Sequence, residues 1–532
     1  MDGPPLDAAL WLAAFAPVAL LFALVLWGRF GALVPAVGAL ALSAVLAGTV
    51  FRSGWGVLAV GLGKGVWLGS WILLVVWPAL LLFRLASVGG LERLGRIFTS
   101  ILPRRRENLL LVAWVFPAFI QGVAGFGTPI AVAAPLLVAM GWSPIRAVVY
   151  PLVGYHWSVT FGSMGSSFYM ASLTAGFDGP EQAALAGRSA LLLALNCLLA
   201  GALVLLMDGG LAGLREGFRL LVLAGAPMAA TLVGVALLVP AIATLSAAAV
   251  GLGVVALVGV LSRRRVRAQS SAGDGGVLVD EPHLDVSART AVALLSPYLY
   301  LLLVALPVFV VPASRDWVST HLLVSPDFPG TATGFGWRNL PVTDYTPVAV
   351  LGHPGFYILL ACLLGYVTFR LTGLWHGLDS VGVLRRWVRA LPKASAPIVV
   401  LACLASVLVE SGMVSLLARG TAEVAGGVYP ALAPVVGAVG SFMTGSTTSS
   451  NALFAPLQAQ IAGVMEVEPS VLVAAQTAGG NVGNSLAPVI VLIGATTVGA
   501  PEAFSRILRM CLLPAAVLLA VLSALTVAAT LV

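Results

Sequence analysis

Residues 441–454 read SFMTGSTTSSNALF, and the middle of this stretch decides how the whole chain is interpreted. Residues 444–451 carry six hydroxyls, one glycine and one asparagine, although apolar residues flank them on both sides. A single serine or threonine in a membrane helix usually bonds back to its own helix. Six hydroxyls in one run exceed what that local bonding explains, so the stretch predicts a polar break in the backbone at membrane depth.

The rest of the chain has the composition of a membrane protein. Of its 532 residues, 60% are hydrophobic and only 9% are charged, whereas about 25% of the residues of a soluble domain are charged. Apolar runs long enough to cross a bilayer recur along it, and we predict an all-α polytopic membrane protein with about 12 to 14 transmembrane helices. The clear runs are 10–27, 31–50, 66–83, 190–207, 219–240, 241–261, 291–311, 356–369, 397–409 and 511–532.

A second interrupted region, residues 121–167, follows the same plan as residues 441–488. In both, a small-residue break precedes an apolar arm containing Ala-Pro-Leu, a turn marked by proline, a second arm and a second break. Pro135 lies eight residues after Gly127, and Pro456 lies eight residues after Thr448. This weak repeat predicts two pseudo-symmetric halves with broken, re-entrant segments. We expect an N-terminal membrane half at 1–261, a cytoplasmic linker at 262–290 and a C-terminal membrane half at 291–532.

Basic residues cluster between the apolar runs, which relates the net charge of +7 to topology rather than to nucleic acid. Loops rich in Lys and Arg stay in the cytoplasm, and counting spans back from the first cluster places the N-terminus outside. Asp2 and Asp7 precede the first run without any basic residue, unlike a cleaved signal peptide. We predict a multi-pass protein of the plasma (inner) membrane, in contact with the lipid bilayer. The clusters are Arg84, Arg93, Arg96 and Arg104 to Arg106; Arg263, Arg264, Arg265 and Arg267; and Arg385, Arg386, Arg389 and Lys393.

Paired breaks in two halves of a membrane chain indicate a binding site. Unwound backbone at membrane depth is tolerated only where it is buried in protein or lines a polar cavity. In transporters such breaks mark the central site, where the N-termini of half-helices suit an anion. A channel is less favoured because the two breaks differ chemically. An enzyme is disfavoured because no HExxH motif or nucleophile–base set occurs, and the cysteines form no CxxC pair, so we predict no metal and no cofactor.

The two breaks resemble the L-lactate permease family of bacterial lactate and glycolate transporters. The family carries an acidic residue and then G-x-A-G-F-G-x-P-x-A in the first half, and T-G-S-D-T-S-S-N-A-L-F in the second. The resemblance implies import of a small monovalent organic anion, such as lactate or glycolate, by H⁺ symport. The matching residues are Gly122, Ala124, Gly125, Phe126, Gly127, Pro129 and Ala131, and Thr444, Gly445, Ser446, Thr448, Ser449, Ser450, Asn451, Ala452, Leu453 and Phe454.

Three positions that are ionisable in the family are neutral here, namely Gln121, Thr447 and Asn484. A buried charge in a membrane protein is costly and is normally kept for function, so its loss points to altered coupling or an altered substrate. The alternatives are a Na⁺-coupled carboxylate or sulfonate transporter and an anion channel. Glu410 and His156 are the remaining candidates to carry a coupling proton, because both titrate and lie close to the breaks.

The candidate substrate-binding residues come from three polar segments. We expect residues 121–127 and 444–451 to be non-helical and to approach each other near the middle of the membrane. A further break is expected where asparagines follow the Gly-Gly pair, and Lys64 is expected to extend from the end of a span to the membrane surface. The candidates are Gln121, Gly125, Phe126, Gly127, Thr128, Thr444, Gly445, Ser446, Thr447, Thr448, Ser449, Ser450, Asn451, Asn481 and Asn484.

Overall fold

The computed structural model describes residues 3–27, 33–89, 102, 104–125, 127–270, 288–376 and 379–531. Phe126 of the first glycine motif and residues 271–287 of the predicted linker lie outside these residues. The helices are α1 (Ala8–Leu26), α2 (Leu33–Thr49), α3 (Trp55–Gly89), α4 (Arg105–Leu110), α5 (Phe116–Val123), α6 (Thr128–Ala139), α7 (Pro144–Gly154), α8 (Ser166–Ala175), α9 (Gly179–Ala236), α10 (Ala243–Ser270), α11 (Ala288–Val310), α12 (Pro312–Thr320), α13 (Pro354–Leu371), α14 (Ser380–Glu410), α15 (Met413–Ala425), α16 (Tyr429–Thr444), α17 (Thr447–Val464), α18 (Pro469–Leu486), α19 (Pro488–Thr497) and α20 (Phe504–Thr530).

Short elements connect several of these helices. A π-helical turn, Leu111–Val115, joins α4 to α5. Single 3₁₀ turns lie at His156–Ser158, Ser163–Gly165, Pro240–Ile242, Gly426–Val428 and Pro501–Ala503. Residues 262–270 of the predicted linker continue α10 as helix, and α11 begins at Ala288.

Ten helical segments of the described residues are long and apolar enough to cross a membrane, which confirms the predicted all-α membrane fold. These ten segments count α9 once, and they leave out the shorter apolar helices α2, α6 and α7. Helix α9 has 58 residues, and at 1.5 Å per residue it would be about 87 Å long. The backbone leaves helical geometry at Gly209 and Gly210, and a Cβ at Gly201 or Gly225 would contact the other arm. Helix α9 therefore folds into two antiparallel arms, α9a (residues 179–208) and α9b (residues 211–236).

Helix α9a joins two faces of the protein. Near one end, Asp208 accepts hydrogen bonds from Trp142 Nε1 at 3.2 Å and from the Tyr150 hydroxyl at 3.3 Å, and it lies 3.4 Å from Arg106 Nε. We call this end, with the arginines at 104–106, the basic face. Towards the other end, Arg188 pairs with Glu468. That side is called the opposite face, and 20 residues of helix, or about 30 Å, separate the two.

The first re-entrant unit opens on the basic face. The chain enters through α4 and α5, breaks after Val123, and returns through α6 to the turn that contains Trp142. Because Trp142 contacts Asp208, both open ends of the α5–α6 hairpin lie on the basic face. Helix α7 then leads inward from that face, residues 155–165 interrupt it with 3₁₀ turns, and α8 continues to the opposite face.

The second re-entrant unit has the inverse orientation. The Tyr429 hydroxyl, at the start of α16, donates to Gln458 Oε1 in the last part of α17 at 3.0 Å. The turn after α17 contains Glu468, so the α16–α17 hairpin opens on the opposite face. Helix α18 leads inward from there, ends at Leu486, and α19 continues towards the basic face, where a Cβ at Gly494 would meet α6 and α7. The two units are therefore inverted copies in plan.

A loop with two short pairs of antiparallel strands covers part of the opposite face. We call residues 321–349 the β-segment. Strand β1 (Leu323–Val324) pairs with β4 (Val348–Ala349), and β2 (Thr331–Ala332) pairs with β3 (Arg338–Asn339), both antiparallel. The Thr331 hydroxyl donates to Glu410 Oε2 at 3.0 Å, and Asn339 Nδ2 donates to the Glu410 carbonyl at 2.9 Å. These bonds hold the β-segment over the end of α14.

Candidate binding site between the re-entrant hairpins

Both predicted breaks exist, but they are shorter than predicted. Gln121 lies within α5, Thr444 is the last residue of α16, and residues 447–451 form the start of α17. The prediction that all of 121–127 and 444–451 are non-helical was therefore wrong. The physical reason is that hydroxyls close to a helix end can cap it, so a hydroxyl-rich run shortens a break as readily as it lengthens one.

The second break consists of Gly445 and Ser446. Gly445 has φ +74°, a left-handed conformation that ends α16 and that glycine adopts without strain. The Ser446 hydroxyl accepts a bond from the Ser449 amide at 3.4 Å, and the Thr444 hydroxyl donates to the Gly440 and Ser446 carbonyls at 2.8 and 3.0 Å. The break thus ends one half-helix and starts another, and it leaves the N-terminus of α17 inside the protein.

The first break uses glycine in place of hydroxyls. Gly127 has φ +81° and precedes α6, which begins at Thr128 with Pro129 after it. A Cβ at Gly125 would lie 2.5 Å from Ser163 Oγ and 3.2 Å from Gln121 Nε2. The break is therefore packed tightly against residues 155–165. Phe126 lies outside the described residues.

A buried hydrogen-bond network joins the two units. Thr448 Oγ1 lies 2.9 Å from Ser167 Oγ, and Asn451 Nδ2 donates to the Ser167 carbonyl at 2.9 Å and to Thr477 Oγ1 at 2.8 Å. The Thr160 hydroxyl donates to Asn481 Oδ1 at 2.9 Å. All six residues are at least 95% buried. Residues 160–167 of the first unit thus bond directly to α17 and α18 of the second.

The two breaks themselves do not meet by hydrogen bonds within the described residues. Gly125 faces Ser163, and a Cβ at Gly127 would lie 3.5 Å from Ile490 Cδ1. Thr448 faces Ser167. Residues 163–167 therefore contact both the first break and the first turn of α17.

The third predicted break is wrong. Asn481 and Asn484 lie in α18, which is helical to Leu486, and the interruption occurs one residue later at Ala487. Glycines in α18 serve helix packing instead, because a Cβ at Gly479 or Gly483 would collide with carbonyl oxygens of α16. Close approach of two helix backbones needs small residues at the contact.

Among the candidate binding residues, three buried polar side chains make no hydrogen bond within the described part of the chain. Gln121, Ser449 and Asn484 are 3%, 7% and 8% exposed, yet none of their side-chain atoms has a partner among the described residues. A polar group without a partner at such burial is destabilising unless water or a ligand satisfies it. These three residues come from α5, α17 and α18, so each of the candidate segments supplies one free polar group.

Glu410 lies outside this network. Its carboxylate is 2.5 Å from Lys64 Nζ, both residues are less than 10% exposed, and the pair faces the β-segment. The expectation that Lys64 extends to the membrane surface was therefore wrong, because a partner 346 residues away holds it inside. In the β-segment, burial raises the pKa of the Tyr345 hydroxyl, and the Glu410 carboxylate raises it further.

His156 lies in the interruption between α7 and α8, at 1% exposure. Its Nδ1 is 2.8 Å from the Val153 carbonyl. A carbonyl can only accept, so Nδ1 carries the proton and Nε2 presents a lone pair. That Nε2 atom is buried without a hydrogen-bond partner among the described residues.

The L-lactate permease family profile matches residues 11–532. The chain belongs to the L-lactate permease family. It is 26% identical to the L-lactate permease of Streptococcus iniae over 417 residues, which cover 77% of this chain and 82% of that protein. It is 27% identical to the L-lactate permease of Escherichia coli K12 over 459 residues (82% and 80%), and 26% identical to the glycolate permease GlcA of the same strain over 470 residues (84% and 81%). Among solved structures, the Alcanivorax borkumensis YdaH transporter matches with 18% identity and a TM-score of 0.46, over 85% of this chain and 84% of that one.

Membership of the L-lactate permease family, as predicted from the two motifs, is confirmed. The chain is a multi-pass membrane permease. Sequence reasoning missed three residues of the network, Thr160, Ser167 and Thr477, because none of them lies in the long hydroxyl run at 444–450. Their position in or beside the interruptions was the available signal.

Proposed function

We propose that this permease is a secondary transporter that imports a small monovalent organic anion, such as lactate or glycolate, through the plasma membrane. The observation that carries the proposal is the set of unpartnered, buried polar groups of Gln121, Ser449 and Asn484 beside two inverted re-entrant hairpins. Inverted repeats with broken helices are the architecture in which transporters bind their substrates at mid-membrane. The names of the lactate and glycolate permeases among its relatives support the same substrate class.

The orientation follows from the distribution of charge. Cytoplasmic loops carry the excess of arginine and lysine, so the basic face is cytoplasmic in this proposal. The Pro4 carbonyl accepts a bond from Arg419, and Gly3 lies beside Trp337 of the β-segment. The N-terminus therefore lies on the opposite, extracytoplasmic face.

Neutral groups would bind the anion. The N-terminus of α17 directs free backbone N–H groups and the positive end of its dipole into the protein. The Ser449 hydroxyl and the Gln121 and Asn484 amides add donors that fit a carboxylate and an adjacent hydroxyl. One small anion can be held in this way without a buried cationic side chain, which is consistent with a monovalent substrate.

The hairpins give the site a route to each side. The α5–α6 hairpin has its open ends on the basic face and the α16–α17 hairpin on the opposite face. Movement of one hairpin unit relative to the rest would expose the site to one side at a time, which is the basis of alternating access.

For proton coupling, His156 is the better of the two candidates. Glu410 is engaged by Lys64 and by Thr331 and sits at the β-segment, away from the network. His156 Nε2 has no hydrogen-bond partner among the described residues. The next residue, Trp157, accepts a hydrogen bond at its carbonyl from Asn481 of the network, at 3.4 Å. A proton taken up at Nε2 would place a positive charge beside the binding network and favour an anion there.

A Na⁺-coupled mechanism is the second candidate, and one observation favours it. Asn451 Oδ1 is buried without a hydrogen-bond donor among the described residues. A free amide oxygen near several hydroxyls suits a hard cation such as Na⁺.

Uptake into proteoliposomes tests both. We expect labelled lactate or glycolate to accumulate against its gradient when the lumen is alkaline, in wild type and in Glu410→Gln. In His156→Ala, accumulation should be lost while exchange of substrate across the membrane persists. Accumulation that follows a Na⁺ gradient at fixed pH would support the second candidate, and unchanged proton-driven accumulation in His156→Ala would exclude His156 as the carrier.

A further inference from the structure

A cavity of about 420 Å³ opens beneath the β-segment on the extracytoplasmic side. We call it the vestibule. Helices α3, α8, α14 and α17 and the β-segment supply its walls. Charged residues on its wall are Lys64, Arg338 and Glu410, and Thr174 and Ala459 line it from α8 and α17.

The vestibule reaches the polar network through one residue. The Thr174 hydroxyl donates to the Asn451 carbonyl at 3.2 Å. Asn451 in turn bonds to Ser167 and Thr477 inside the network. The vestibule wall is therefore hydrogen-bonded directly to the buried network.

Its charge is positive overall. Lys64 and Glu410 neutralise each other at 2.5 Å, and Lys64 also faces the rings of Phe328 and Tyr345 at 5.9 and 5.4 Å. Arg338 is exposed, and no carboxylate of the described residues lies within ion-pair distance of it. The unbalanced charge at the wall is thus a guanidinium, which suits a carboxylate.

We propose that the vestibule is a second binding site for the small carboxylate, which Arg338 attracts from the extracytoplasmic side before it reaches the central site. Lys64, the other cation of the wall, is paired with Glu410. This inference rests on the proposed function, since it takes the same class of substrate.

The test is the rate at which charged thiol reagents reach a cysteine in the vestibule. Ala459→Cys is introduced after the four native cysteines, all buried, are replaced. Right-side-out membrane vesicles are treated with impermeant methanethiosulfonates of negative or positive charge. We expect the negative reagent to react faster, Arg338→Gln to lower the ratio of the two rates about fivefold at low salt, and L-lactate to slow the labelling.

Two controls make the result specific. Arg315→Gln removes another exposed arginine of the same face and should leave the ratio at Ala459→Cys unchanged. Thr320→Cys places a thiol on α12 outside the vestibule, and the ratio there should not change with Arg338→Gln. A ratio independent of Arg338, or labelling that L-lactate does not slow, would overturn the vestibule site. Lactate uptake in the same vesicles separates the two claims: intact uptake without protection overturns the vestibule alone, whereas vesicles that take up no organic acid overturn the proposed function as well.

Discussion

The two re-entrant units share a backbone plan and differ in chemistry. In the first, the break is built around glycine, and α6 begins with Thr128 and Pro129. In the second, the break is Gly445 and Ser446, and α17 begins with a run of hydroxyls. The first unit supplies a tightly packed backbone and one free amide, Gln121, while the second supplies most of the side chains of the network.

This difference separates what the fold needs from what the site needs. Glycines that pack directly against the backbone of a neighbouring segment occur in both units. These contacts therefore belong to the backbone plan that the two units share. A continuous run of hydroxyls occurs at the second break, in residues 446–450, and not at the first, and this is where we propose that the anion binds. Helix α9a contacts the connecting turn of each unit, at Asp208 on the basic face and at Arg188 on the opposite face, and so links the two units.

The largest effect is expected from the glycines that the two units share. A Cβ at Gly483 would collide with the Ala438 carbonyl of α16, and one at Gly154 would collide with the Ala113 carbonyl. Because backbone atoms cannot move aside as a side chain can, Gly483→Ala and Gly154→Ala should each destabilise the protein by about 3 kcal/mol or more. Thermal unfolding in detergent and the yield of monodisperse protein would measure this.

Gly253 in α10 is the matched control, since a Cβ there meets nothing within 4 Å. Gly253→Ala should be neutral or stabilise by up to about 1 kcal/mol. If Gly483→Ala unfolds the protein and Gly154→Ala does not, the two units do not depend on the same packing, and the comparison fails.

The all-α membrane fold could be predicted from the sequence because it follows from the apolar composition and from the two polar interruptions of the apolar runs. The position of Gly445 could be predicted because a glycine among hydroxyls marks the end of a helix. The helix through Asn481 and Asn484 could not, because the Gly-Gly pair before them permits either an unwound backbone or a close helix contact, and only the facing α16 decides. The Lys64–Glu410 pair joins residues 346 positions apart, which no local pattern contains.

An intermediate effect is expected from the free polar side chains, and it tests whether both units bind substrate. The Ser449 side chain makes no hydrogen bond to the part of the chain that the structure describes, so Ser449→Ala should leave stability unchanged. A hydrogen bond to a charged ligand contributes about 1.5–3 kcal/mol, so KM for uptake should rise at least about tenfold. Gln121→Ala in the first unit should act in the same way.

Asn451→Ala is the contrasting variant, because Asn451 bonds to Ser167 and Thr477 and supports the network. It should lower both the unfolding temperature and uptake. Normal KM values in both Ser449→Ala and Gln121→Ala, with folding intact, would contradict the site. A defect in Ser449→Ala alone would mean that the first unit contributes backbone only.

The smallest effect is expected where α9a holds the turn of the second unit. The hydrogen bond from Arg188 lowers the pKa of the Glu468 carboxyl, but Glu468 is 53% exposed. After solvent screening the pair should stabilise the fold by no more than about 0.5 kcal/mol. A carboxyl whose pKa is lowered on folding stabilises fully above its unfolded pKa of about 4.3, and the contribution is lost as the pH falls through the lower folded pKa. At about pH 6, Glu468→Gln should therefore unfold at a slightly lower temperature than wild type, and this gap in unfolding temperature should close on acidification. Glu466→Gln, in the same exposed turn, should show no such gap. A gap that widens as the pH falls would mean that Glu468 does not hold the turn through Arg188, and the parallel with Asp208 on the basic face would be lost.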